Sequence, residues 1–252
     1  MIPKNPQTKS KFNRKLLKKI EKIIKNLIII FFISSISITI LYKRLNPPIT
    51  NFMVYRVIQQ TFWFKKIIFK KNWLKIEEVP SNIIYWIIWW EDQKFLKHFW
   101  FDLQAIQRAY EYNVQMNQTI FWWSTISQQT AKNLFLWPSR SYIRKWLEIY
   151  FTLLIETLRS KERILEVYLN IIEFWNWIYG IQSASQYYFN KPVDKLTNYQ
   201  IWFLIAILPN PRYYQNNTNS LYLKTRKNII INNLYKMKRN KDNKTFIKEI
   251  KK

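Results

Sequence analysis

Glycine is all but missing. The 252 residues carry one, Gly180, where average usage would give roughly 18. A domain with many turns cannot easily manage on one, because no other residue takes positive φ cheaply. Cysteine is absent, which excludes a disulfide scaffold and a thiolate metal site. Acids are scarce: 15 Asp and Glu against 41 Lys and Arg leave a formal net charge of +26. That excess calls for anionic partners, either nucleic acid or a membrane with anionic headgroups and phosphates. Tryptophan, by contrast, is abundant, with 13 residues. The length suits one domain plus appendages.

The layout follows from charge and apolar runs. Residues 1–26 are basic, Leu27 to Tyr42 is apolar without a charge, and Lys43 and Arg44 close the run. The run sits at the short end of a bilayer span, about 17–25 residues, which flanking lysines that snorkel make good. The heavier basic flank lies before it, so the positive-inside rule places the N-terminus in the cytoplasm and the rest outside. A cleaved signal peptide is the other reading, but no small-x-small site follows the run. The expected layout is a basic cytoplasmic tail 1–26, a transmembrane anchor 27–43, a connector 44–80 that opens at Asn46-Pro47-Pro48, a catalytic domain 81–237, and a frayed basic tail 238–252. Helices are expected over 103–117, 147–158 and 226–237.

Three stretches could carry chemistry. Glu91 and Asp92 follow the apolar run Ile83 to Trp90. A carboxylate at the edge of something buried has its pKa raised and is a candidate general base; a helix cap or a solvated acid pair is the plainer reading. Ser124-Thr125-Ile126-Ser127-Gln128-Gln129 reads as a capped helix whose N-terminus can face an anion, or as an ordinary capped helix. Arg144, Lys145 and Glu148 place Arg144 and Glu148 on one helical face. They form an exposed ion pair or a cationic cluster suited to a pyrophosphate and a divalent ion.

Together these stretches resemble the peptidoglycan glycosyltransferases, the lysozyme-like enzymes that polymerise lipid II. Glu91, Asp92, Phe95 and His98 match the first motif. Ser124 to Gln129 with Ala131, Lys132 and Asn133 match the second, and Arg144-Lys145-x-x-Glu148 matches the third. Lys161 to Asn170, then Glu173 to Gly180 and Leu208-Pro209-Asn210-Pro211, match later ones. The resemblance implies a mainly α, lysozyme-like glycosyltransferase domain with one N-terminal transmembrane helix. By the same resemblance Glu91 is the general base and Glu148 the second essential glutamate, which binds Mg²⁺ or another divalent cation or orients the donor. Asp92 orients the loop or assists Glu91; Ser124, Thr125, Gln128 and Gln129 line the donor cleft; Lys132, Arg140, Arg144 and Lys145 neutralise the leaving pyrophosphate. Phe95, His98 and Asn133 are structural. The implied partners are lipid II, the growing glycan chain, membrane lipids and other cell-wall synthesis proteins, not nucleic acid. The implied reaction is inverting, gives a β-1,4 glycan, and belongs to a monofunctional enzyme.

The tryptophans depart from this pattern. Trp100, Trp122, Trp146, Trp175 and Trp177 stand where the motifs have glycine. Trp86, Trp89, Trp90, Trp123 and Trp202 stand where the family keeps small residues. Overpacking costs about 1–3 kcal/mol per site, against a total stability of about 5–15 kcal/mol. The expectation is that most are glycines in the living protein, encoded by UGA read as glycine, with Trp73 and Trp137 true tryptophans. Rival readings are a glycan-cleaving enzyme on the same fold, a basic membrane-anchored binding protein that stacks nucleic acid on aromatics, and an inactive relative if the tryptophans are real.

Overall fold

Residues 1–45 form one compact unit and residues 46–252 another. The computed structural model describes residues 6–62, 70–100, 107, 111, 114–115, 124–139, 141–217, 220–226, 228–229 and 241–251. The first unit is a single helix, α1, Pro6–Arg44. It contains a stretch, Arg14–Arg44, long and apolar enough to cross a membrane. The expected tail and anchor are thus one continuous helix from residue 6. The hydroxyls in its apolar part are turned back on the helix: Ser34 Oγ donates to Phe31 O, Ser35 Oγ to Phe32 O, and Thr39 Oγ1 to Ser35 O. Such bonds satisfy polar groups where no water is available.

The second unit is mainly helical. After Pro47-Pro48, Thr50 caps α2, Asn51–Phe62, by accepting from Met53 N. Then come β1, Lys70–Lys71; α3, Ser81–Glu91; α4, Ile126–Phe135; α5, Tyr142–Leu158; and α6, Lys161–Ile171. They are followed by β2, Glu173–Trp175; β3, Ile178–Tyr179; α7, Ile181–Phe189; α8, Asn198–Ile207; α9, Pro211–Asn216; and α10, Lys241–Ile250. Sequence sets these helix starts directly. Ser141, Ser160 and Thr197 each accept a hydrogen bond from the backbone N–H three residues on. Such a cap is worth about 1 kcal/mol.

The core is built around α4, which packs on α2, α5 and α6. Ile126, Ala131, Leu134, Leu165, Tyr168 and Leu169 are buried there. The small sheet has strand order β1-β3-β2, with β1 parallel and β2 antiparallel to β3 and a bulge between Glu173 and Trp175. Gly180 follows at φ +80, and a Cβ there would lie 2.9 Å from Asn170 O. That turn therefore requires its glycine.

Two more residues near the motifs take positive φ without being glycine: Trp100 at 73° and Trp177 at 67°. Trp177 lies in the two-residue connection between β2 and β3, after Asn176. Asn-Gly is the strongest short signal for such a hairpin. Trp73 is a fully used tryptophan. Its Nε1 donates to Glu166 Oε1 at 3.1 Å, and Lys71 and Arg163 lie over its rings. The indole N–H groups of Trp100 and Trp202 are buried without a partner.

The expected frayed tail is instead the helix α10. Asn243, Ile247 and Ile250 recur at i, i+4 and i+7 and are buried, and α10 packs against α3. Lys251 Nζ donates to Val79 O at 2.6 Å. The periodicity is short and flanked by lysines, which hides it in the sequence. Most of the expected helix over 103–117, most of the one over 226–237, and Trp122, Trp123 and Arg140 lie outside the described residues.

Candidate active site

The apolar helix α3 carries Glu91 to the edge of the core. Ile83, Ile84, Ile87 and Ile88 are buried beneath it, and the chain leaves the helix at Asp92. The Glu91 side chain is 11% exposed. Its Oε2 accepts from Gln129 Nε2 at 2.8 Å, and its Oε1 lies 3.9 Å from Arg226 Nη2. Burial pushes the Glu91 pKa up and Asp92 adds to that, while the Gln129 hydrogen bond, Arg226 and Lys132 oppose it. A carboxyl group whose pKa is raised in this way is a stronger base than a solvated one, as a general base requires. Gln129 is held in turn: its Nε2 also reaches Ser124 O at 3.3 Å, and its Oε1 accepts from Tyr168 Oη at 3.4 Å.

Asp92 points the other way. His98 Nε2 sits 2.9 and 2.8 Å from its two oxygens, and Ile126 N, at the start of α4, donates to Oδ2 at 3.1 Å. The anion at this helix N-terminus is thus the protein's own. Thr125 and Gln128 are spent on the same cap: Thr125 Oγ1 accepts from Gln128 N, and Gln128 Oε1 accepts from Thr125 N. Both are buried, so their side chains position α4 rather than line an open cleft. Ser127 Oγ donates to the buried Glu156, which also takes Lys161 Nζ at 2.7 Å. Lys161 lies over the ring of the fully buried Phe95. Asn133 is buried in α4.

The cationic side is made by α4 and α5. Glu148, nearly two turns into α5 and 2% exposed, accepts from Arg144 Nη1 at 2.8 Å and from Lys145 Nζ at 2.6 Å. The Arg144 and Lys145 side chains are 14% and 30% exposed, so this pair of bridges is not a solvated surface feature. Lys132, from α4, feels both acids. Burial lowers its pKa, Glu148 raises it, Arg144 and Lys145 lower it, and Glu91 raises it. Lys132 thus feels both the Glu91 carboxylate and the Arg144–Lys145–Glu148 cluster. Three cations beside one ionisable acid can stabilise a departing phosphate-type anion while a proton is removed nearby.

Among the described residues, the side chains do not by themselves make a preformed divalent-cation cage. Among the described residues no three His, Cys, Asp or Glu side chains gather. Both oxygens of Glu148 are already taken by cations, and a hard cation needs several oxygen ligands.

Arg226 and Tyr168 went unrecognised as site residues in the sequence. Tyr168 reads there as a core position on a helical period, which it also is. Arg226 lies far along the chain from Glu91, with no local pattern linking the two.

The transglycosylase family model matches residues 60–235. Curated relatives named biosynthetic peptidoglycan transglycosylase include one from Bdellovibrio bacteriovorus, 39% identical over 84% of this chain and 85% of its own length. Another, from Haemophilus influenzae, is 41% identical over 80% of this chain and 82% of its own. A third, from Bacteroides thetaiotaomicron, is 40% identical over 85% and 86%.

Proposed function

Because this chain belongs to the transglycosylase family, with its lysozyme-like helical domain, we propose that it polymerises lipid II into β-1,4-linked glycan, with Glu91 as general base. Glu91 takes the proton from the acceptor sugar hydroxyl as that oxygen attacks the anomeric carbon of the donor. The bond from that carbon to the lipid pyrophosphate breaks, and the anomeric centre inverts. The leaving group is already acidic, so no general acid is required. Lys132, Arg144 and Lys145 neutralise its growing charge. Glu148 orients these cations, and Asp92, with His98, orients the loop that follows Glu91. Ser124 and Gln129 border the donor side, while Arg140 is assigned there by its motif alone. No step runs through a metal ion.

The observation that carries this reading is the buried Glu91 held by Gln129 in the same site as the Arg144–Lys145–Glu148 cluster, with Lys132 feeling both acids. A glycan-cleaving enzyme would need an acid but not three cations. The test is polymerisation of labelled lipid II by the wild type and by Glu91→Gln. Loss of polymer in a folded Glu91→Gln enzyme supports the assignment, and undiminished polymer refutes it.

α1 supports a single-pass anchor in the cytoplasmic membrane. Its basic flank favours a cytoplasmic N-terminus and a catalytic domain on the outer side, where lipid II, membrane lipids and other cell-wall synthesis proteins are met.

Positions 100 and 177 are glycine in the protein that the cell makes. Both backbones lie where tryptophan is strained and glycine is free. The other suspect positions are less demanding: Trp146 is 70% exposed on the outer face of α5, and Trp175 sits at the bulge in β2. Peptide masses of the native protein decide the matter, and a tryptophan mass at 177 overturns it, as does a UGG codon there.

A further inference from the structure

We propose that Arg226 is a positioning residue for the transfer reaction: its guanidinium holds Oε1 of Glu91 while Gln129 holds Oε2, fixing the carboxylate for the incoming hydroxyl. This rests on the reading of Glu91 as the general base. Arg226 comes from the helical stretch 221–226, remote in sequence from the motifs that build the site. Its Nη2 lies 3.9 Å from Glu91 Oε1, and the two side chains are 9% and 11% exposed. The guanidinium is itself fixed. It lies 4.2 Å over the Trp90 ring and 5.3 Å over the Tyr222 ring, and Nη1 donates to Tyr222 Oη. Tyr222 is stacked on Tyr214, with ring centroids 4.6 Å apart and planes 9° from parallel. The Glu91 and Tyr222 contacts do not involve the residue at 90.

A buried guanidinium is costly unless an anion faces it, and Glu91 is the acid within ion-pair reach of this one. The 3.9 Å separation is longer than a hydrogen bond. Catalytic hydrogen bonds often tighten only once substrate is bound. Arg226 Nε is buried and carries no hydrogen bond, so the guanidinium keeps an unused donor.

Among the described residues, the charged and titratable groups that act on Glu91 are few. Asp92 follows it in sequence, Lys132 comes from α4, Tyr168 from α6, and Arg226 from 221–226. Burial and Asp92 favour the protonated acid; Lys132, Arg226 and the Gln129 hydrogen bond favour the carboxylate. Removing Arg226 leaves Lys132 as the one cation in that balance. The acid must then be deprotonated at a higher pH before it can accept a proton.

The experiment is the pH dependence of kcat for lipid II polymerisation by the full chain, comparing wild type, Arg226→Gln, Arg226→Lys and Tyr222→Phe. Arg226→Gln is expected to move the acid limb up by about one pH unit, roughly a tenfold loss below the limb with partial recovery above it. Arg226→Lys keeps the charge and leaves the limb near its wild-type position. A loss in Arg226→Gln that is equal at every pH would show a merely structural role and overturn the proposal. If Arg226→Gln does not fold, Tyr222→Phe decides, since it releases Nη1 while keeping the ring: a limb displaced upward supports the proposal and an unmoved limb refutes it. Full activity in Glu91→Gln would instead remove the underlying reading, so the two failures are separable.

Discussion

Glu91 shows the conflict between stability and chemistry in one side chain. Its folded pKa is raised by burial, so the stabilising form is the protonated one, present at low pH and lost as pH rises through the folded value. At neutral pH the ionised group therefore costs stability. Glu91→Gln keeps an acceptor for Gln129 and removes that cost. The variant should lose polymerisation by a factor on the order of 10² to 10⁴. Yet it should melt about 2–4 °C higher at pH 7, the shift for roughly 1 kcal/mol in a domain of this size, with the difference closing at acid pH. A lower melting point at neutral pH would show that burial is not what perturbs Glu91. At Trp177, Trp177→Gly should stabilise by about 1–2 kcal/mol through release of left-handed strain. Trp73→Phe, by contrast, loses the bond to Glu166 and should destabilise by about 1 kcal/mol. A chemical-denaturation series on the two variants reads the contrast directly. The motifs single out Glu91, Lys132, Arg144, Lys145 and Glu148 as candidates, and helical spacing accounts for the meeting of Arg144 and Lys145 with Glu148. Arg226 was not legible, since its meeting with Glu91 depends on how distant segments pack.

Among the elements, α4 was the most readable. Thr125 and Gln128 announce its capping box, and the structure forms both bonds of it. What the spacing does not reveal is the occupant of the helix end. Asp92 takes Ile126 N there and is itself gripped by His98. Asp92→Ala would leave the imidazole and the helix N–H facing an empty site, a loss of about 3–5 kcal/mol by analogy with broken buried pairs. Thermal unfolding of that variant tests it, and a change under 1 kcal/mol would show that the cap contributes little. α10 was misread because a lysine-rich tail has the composition of a frayed end. Its Ile247 and Ile250 pack it against the helix that ends in Glu91. Ile247→Ala is expected to cost about 2–5 kcal/mol and to lower kcat with it, measured on the same preparation.

For the whole molecule, charge is the property with the longest reach. The formal +26 attracts anionic headgroups and the pyrophosphate alike, but mobile ions shorten that reach from about 10 Å at 0.1 M to about 3 Å at 1 M. Raising salt over that range should increase KM for lipid II in anionic liposomes much more than it lowers kcat, because the buried cluster at Glu148 is screened less than the surface. Steady-state assays at two ionic strengths check this, and an equal effect on both constants would speak against it. The mainly helical class and the long apolar N-terminal helix were visible in composition and apolar runs. The three-stranded sheet was not, because strands of two or three residues leave no periodicity to read.

The clamp on Glu148 bears on what happens after the bond is made. Arg144 and Lys145 already have a carboxylate partner when the site is empty. Under the proposed function, capturing the diphosphate exchanges one anion for another, and letting it go restores the original pair. Such a site favours turnover over tight retention, and it predisposes the enzyme to weak inhibition by its own spent lipid carrier.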